Sequence, residues 1–140
     1  MKVILLILLL LNFTACETKK TTYERNAGHG IPWEKNLDAA FTKAKEEKKT
    51  LLVMAVSDNC QWCDKMKART LSDPKVAKKL EKYVLVMADR ETPSERDQLH
   101  PFTNVPVIFF MTHEKDTIDE LQGYYDPEDF LEYLVDFEAG

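Results

Sequence analysis

The chain is poor in cysteine and histidine and lacks any long block of one charge. Of its 140 residues only three are Cys and three are His. A zinc or iron–sulfur centre draws about four ligands, usually from two paired clusters. Here Cys60 and Cys63 make one lone pair, and His29, His100 and His113 are scattered without ligand spacing. Covalent haem attachment needs His directly after the second cysteine, and residue 64 is Asp. No metal and no cofactor is therefore expected. The 19 basic and 24 acidic side chains are intermixed, for a net charge of −5. A mildly acidic surface is a poor partner for nucleic acid or anionic lipid. Neither an internal repeat nor a low-complexity segment is present, which excludes a repeat architecture. The longest apolar run, Val3 to Leu11, is too short to span a bilayer core of roughly 30 Å.

That run follows Lys2 and leads to small residues, Thr14 and Ala15, which is the build of an export signal. Residues 1–15 are expected to be a signal peptide of lipoprotein type. The ending "LNFTAC" resembles a bacterial lipobox, which implies a lipid on Cys16, although Phe13 stands where Leu is usual. Residues 16–31, polar for most of their length, are expected to form a flexible tether. Residues 32–140 are then one domain with a single modest core. Outside the cytoplasm disulfides form and persist, so the remaining cysteine pair can hold either redox state.

Within the domain, "PWEKNLDAAFTKAKEEKK" places Leu37, Ala40, Phe41 and Ala44 at helical spacing. "TLLVMAVS" is a continuous apolar run of strand length, as for a strand buried on both faces. "CQWCDKMKARTL" has no Gly or Pro and is expected to enter a helix near Cys60. "SDPKVAKKLEKY" opens with a helix-start signal and puts Val76, Ala77 and Leu80 on one face. "YVLVMAD" is a second buried strand, with a short helix expected around residues 95–99. "VPVIFFMT" is a third strand, with Phe109 and Phe110 in the core, and "DTIDELQGYY" a weaker one. "DPEDFLEYLVDF" is a closing helix with Asp126 as N-cap, Pro127 at its first position and acids in its first turn. Its apolar stripe would be Phe130, Leu131, Leu134 and Val135. Strands alternating with helices argue for an α/β domain, a central sheet covered on both faces. The first two strands need a crossover and should be parallel, and the last two should form an antiparallel hairpin.

The pair in "SDNCQWCDKM" then has three readings: metal ligand, structural staple, or redox centre. A disulfide across so small a loop removes little chain entropy, so it stabilises little. The redox reading fits the place. A buried strand ends at Val56, a short turn follows, and Cys60 begins a helix. The unpaired N–H groups and positive dipole end there favour a thiolate, the attacking species. Cys63, one turn further in, would be a shielded thiol able to resolve a mixed disulfide.

With these elements in order, and with "NVPV" later in the chain, residues 32–137 resemble the thioredoxin superfamily. "SDNCQWCDKMKARTLSDPKVAKKLEKYVLVMAD" and "GYYDPEDFLEYL" are similar to an exported branch with a C-x-W-C motif. The resemblance implies a thioredoxin-like three-layer sandwich, with a mixed sheet between helices. It also implies a cis bond before Pro106, facing the cysteines, with Val105 offering backbone groups to a substrate strand. Trp62 would supply a flat apolar surface or simply pack over the helix start. The family's buried Asp, six places before the first cysteine, is Met54 here, so the base for the resolving thiol is open: water, Asp58 or Glu91. Gln61 is neutral, and Asp58 and Asp64 disfavour a nearby thiolate, partly offset by Lys65 and Lys67. The pair should therefore suit reduction of substrates better than oxidation. Asp89, His100 and the "KAKEEKK" run read as solvated or structural.

The implied function is an extracytoplasmic thiol–disulfide oxidoreductase at the periplasmic face of a bacterial membrane. It would reduce disulfides of exported proteins and be re-reduced by a membrane electron donor. The competing class is a non-enzymatic binding lipoprotein of the same fold with an inert disulfide.

Overall fold

A computed structural model describes residues 31–140. Cys16, His29, the signal and all of the tether except Ile31 lie outside the described residues. The domain begins with a short strand, β1 (Trp33–Glu34), followed by α1 (Leu37–Glu47), β2 (Leu51–Val56) and α2 (Gln61–Lys65). Helix α2 widens into a π-helical stretch, Met66–Thr70. There follow α3 (Pro74–Leu80), β3 (Val84–Asp89), α4 (Pro93–Arg96), β4 (Val107–Met111), β5 (Thr117–Gln122) and α5 (Pro127–Ala139).

The sheet order is β1-β3-β2-β4-β5. β2 and β3 are parallel, as are β1 and β3, while β4 runs antiparallel to both β2 and β5. All six residues of β2 are buried, and successive side chains point to opposite faces. Leu52, Met54 and Val56 join a core with α2, α3 and α5; Leu51, Val53 and Ala55 join another beneath α1. A strand with no polar position on either side has one place to go, the middle of a sheet covered twice. This is the mixed α/β sandwich expected, and it sets the C-terminal end of β2 at the centre of one edge of the molecule.

Local signals account for most helix ends. Asn36 accepts from Ala39 N–H at 2.8 Å and Asp73 from Lys75 and Val76. Asp126 likewise accepts from Glu128 and Asp129, each side chain satisfying donors that a helix start leaves free. Phe109, Phe110 and Phe130 are fully buried; fully burying such a ring contributes roughly 1.5–3 kcal/mol.

Some elements differ from expectation. Trp33–Glu34 pairs with Leu85 and Val86 as an edge strand, a pairing across the chain that two residues could not signal. The short fourth helix covers 93–96, because Pro93 sets its first position. β4 starts at Val107 and not at Val105, since Pro106 has no N–H to give to a ladder. Val135 is 52% exposed and so leaves the apolar stripe of α5. Phe137 takes its place, its ring centroid 4.3 Å from that of Phe110, because Phe130, Leu134 and Phe137 fall at the i, i+4, i+7 spacing of one helix face. The π-helical widening, with Leu71 N–H bonding Met66 O at 2.9 Å, had no counterpart in the residue pattern.

Candidate active site

The site grows from the end of β2. Val56 accepts from Arg90 N–H at 2.8 Å, which ties the ends of β2 and β3 together. The chain then turns through Ser57 to Asn59. Asn59 has φ +58°, a left-handed conformation that Asn tolerates better than most residues. The turn delivers Cys60 in an extended conformation as the N-cap of α2. Its Sγ accepts from Cys63 N–H at 3.1 Å, and its carbonyl from Asp64 N–H at 3.0 Å. A sulfur accepting a helix-start N–H is placed where negative charge is stabilised.

Cys60 and Cys63 are joined as a disulfide, with Cα atoms 5.2 Å apart. They differ sharply in setting. Cys60 is half-buried, with Sγ 3.8 Å from Val105 O across the site. Cys63 is 1% exposed and shares the core of Met54, Val56 and Met66. One sulfur is half-buried beside the loop that carries Val105, and its mate is shielded by apolar side chains. The Val105–Pro106 bond is cis, and Pro106 O accepts from Gly123 N–H at 2.8 Å. Gly123 has φ +88°, a conformation that L side chains rarely adopt. The structure therefore brings Cys60, Cys63, Val105 and Pro106 into one corner.

Trp62 is 47% exposed and does more than cap the helix start. Its ring lies 5.6 Å from that of Tyr124, and Lys65 Nζ stands 4.8 Å from the Trp62 ring centre and 4.4 Å from that of Tyr124. The Tyr124 hydroxyl is buried without a hydrogen-bond partner. Tyr124 was not expected beside the cysteines, and Lys65 was expected there only as a charge, not as a cation over two rings. The Trp62-to-Lys65 spacing was a usable signal, since residues three apart face each other on a helix. Tyr124 was not, because it arrives from the far end of the chain.

Of the charges near the cysteines, Lys67 offsets Asp64 as expected, and Asp89 and His100 are structural and surface groups. Asp64 is held by Lys67, Nζ to Oδ1 2.9 Å, so its repulsion of a thiolate is offset. Glu91 is paired with Arg90 at 3.0 Å. Asp89 accepts from Glu91 N–H and Thr92 Oγ1, a structural turn. His100 Nδ1 meets Glu120 at 3.2 Å on the surface. Met54 is fully buried in the place where a proton-accepting acid was missed.

A three-layer α/β sandwich carrying paired cysteines where its central strand hands over to a helix, opposite a cis-proline loop, defines the thioredoxin-like class. A model of the thioredoxin-like domain matches residues 37–138, and the chain belongs to that family. A mouse (Mus musculus) protein, spermatogenesis-associated protein 20, is 30% identical over 77 residues, which is 54% of this chain and 10% of that protein. The chain thus spans about a tenth of the length of this curated relative. In fold it is similar to a thioredoxin from Thermus thermophilus, with a TM-score of 0.68 and 22% identity, covering 76% of this chain and 86% of that one. It is also similar to the oxidised C-terminal domain of DsbD from Neisseria meningitidis. There the TM-score is 0.58 at 23% identity, covering 71% and 90% of the two chains.

Proposed function

We propose that this protein is a thiol–disulfide oxidoreductase that works outside the cytoplasm and reduces disulfides of exported proteins. The observation that carries this reading is the unequal pair: a half-buried Cys60 Sγ, accepting a helix-start N–H beside the Val105 carbonyl, joined to a sealed Cys63. Membership of the thioredoxin-like family supports it.

In the reduced protein the Cys60 thiolate attacks a substrate disulfide. A mixed disulfide forms at Cys60, and one substrate sulfur leaves and takes up a proton. Cys63 then loses its proton, attacks Cys60 Sγ and expels the second substrate thiol. Two electrons have passed to the substrate, and the Cys60–Cys63 disulfide is restored. A membrane-held dithiol donor returns two electrons and two protons for the next turn. Val105 presents its backbone carbonyl to the substrate strand next to Cys60, Pro106 shapes that loop, and Trp62 offers apolar surface alongside. Gln61 between the cysteines and Asp58 before them favour the reducing direction, since neither stabilises a thiolate strongly.

Export and anchoring rest on the apolar run at 3–11 and on "LNFTAC" with Cys16 as lipid acceptor. Metabolic labelling with a fatty acid should mark the wild type and not Cys16→Ser; equal labelling would remove the anchor. For the chemistry, dithiol-reduced protein should reduce a model protein disulfide, and Cys60→Ser should abolish this. Equal behaviour of the two proteins would favour a binding module with an inert disulfide.

A further inference from the structure

Among the described residues the buried polar or charged side chains are Lys67 and Thr70. Thr70 gives its hydroxyl proton to Tyr125 O, which leaves Lys67 as the buried charge to be accounted for. It stands four residues after Cys63 on the same helical run. Residues so spaced share a helix face, with Cβ atoms about 5–6 Å apart, and a long side chain reaches back over the turn before it. Lys67 does this: its Nζ is 2.9 Å from Asp64 Oδ1, with 7% of the Lys67 side chain and 72% of the Asp64 side chain exposed. Lys67 and the carboxylate it pairs with thus belong to the stretch of helix that carries Cys63, Lys67 buried and Asp64 in solvent.

Among the described residues no other charged side chain is buried. Met54 and Val56 of β2, Met66 and Phe130 surround the same core. The Tyr83 and Tyr133 hydroxyls of that core are given to Glu138 and Asp119. Tyr124 and Tyr125 flank it from the loop before α5. Lys65 is engaged with the rings of Trp62 and Tyr124, and Asp58 is exposed in the turn before Cys60.

We propose that Lys67 is a positioning residue for the second half of the cycle, its ammonium stabilising the Cys63 thiolate while Cys60 is held in a mixed disulfide. This rests on the oxidoreductase reading above. In that step the Cys63 thiol gives its proton to water and the thiolate attacks Cys60 Sγ. The bond from Cys60 to the substrate breaks, and the substrate sulfur leaves and is reprotonated by water. Lys67 keeps its own proton throughout. Where a buried acid would take the proton away, a buried cation here favours the species left behind.

The test uses the full chain with Cys16→Ser, so that two thiols report. Reduced protein is mixed with excess dithiobis(nitrobenzoate) in a stopped-flow cell from acid to alkaline pH. The first nitrothiobenzoate released reports attack by Cys60; the second reports attack by Cys63. Lys67→Met should leave the first release unchanged and slow the second about tenfold at neutral pH, moving its pH midpoint up by about one unit. Lys67→Arg should restore the wild-type midpoint. Asp64→Asn, a change at an exposed site, should move it down by freeing the ammonium. If Lys67→Met and wild type share one midpoint for the second release, Lys67 is packing only and the proposal is overturned. Absence of the first release in the wild type would instead strike the oxidoreductase reading itself.

Discussion

Two corners of the domain treat polar groups in opposite ways. Where α5 meets α3, Glu138 accepts from Lys79 at 2.7 Å, Lys82 at 2.9 Å and Tyr83 at 3.3 Å. Each of these four side chains has a partner. The hydrogen bonds from Lys79 and Lys82 hold the Glu138 carboxyl below its usual range. Burial, followed by the neighbouring carboxylate, pushes the Tyr83 phenol up. At the end of β2 the reverse holds. The Tyr124 hydroxyl has no partner, Asn59 and Gly123 sit at positive φ, and no acid stands in the place of Met54. One corner fixes the helices against each other; the other leaves sulfur and backbone free to meet a second molecule. Stability and reactivity are thus drawn from different parts of one small fold, as expected where unsatisfied groups cost free energy that the rest of the structure offsets.

Substitutions that strike one corner should spare the other. The largest separation is expected from Cys63→Ala. It should leave the fold intact, stop turnover by at least about a hundredfold, because the resolving thiol is gone, and accumulate covalent adducts at Cys60. Adducts resolved at the wild-type rate would remove Cys63 from its role. On the other side, Phe130→Ala empties the core beneath α5 and should cost about 3–5 kcal/mol in chemical denaturation. In the fraction that stays folded, the rate of disulfide reduction at Cys60 should be unchanged. A loss of that rate without loss of stability would show that the corners are coupled.

Smaller effects sharpen the contrast. Trp62→Ala removes a ring packed at a tilt against Tyr124, with Lys65 over both rings; such a contact contributes about 0.5–1.5 kcal/mol. A fall of a few-fold in kcat/KM on protein disulfides is expected, with little change on a small disulfide that does not span the surface. Equal losses on both substrates would place Trp62 in packing alone. Glu138→Gln should cost under about 1 kcal/mol at neutral pH, since Lys82 is largely in solvent. The sign follows from linkage: a carboxyl held below its unfolded pKa stabilises the fold above that value and loses the contribution as pH falls through its folded pKa. The gap between wild type and Glu138→Gln should therefore close as pH drops below the ordinary carboxyl value of 4.5. A gap that persists in acid would assign the effect to shape and not to charge.

Much of this was legible from residue patterns. The six-residue apolar strand, the caps Asp73 and Asp126, the Cys60 helix start and the shielded place of Cys63 follow from local chemistry, because periodicity and capping act over a few residues. So does the Lys67–Asp64 pair in principle, being a spacing on one helix. Trp33–Glu34 was not legible, since two residues become a strand only when β3 accepts them. The exposure of Val135 was not legible either, because which side of α5 is covered depends on how the helix is turned against Phe110.

The amino-acid order alone determined that a central strand would end in paired cysteines at a helix start, and that this domain would carry mixed charge without metal-ligand spacing. Tertiary structure alone decided what faces them. Val105 and Pro106 lie some 45 residues downstream of Cys60, and Tyr124 arrives later still to pack against Trp62. Such meetings depend on the order of strands in the sheet, and no local preference of the chain encodes that order.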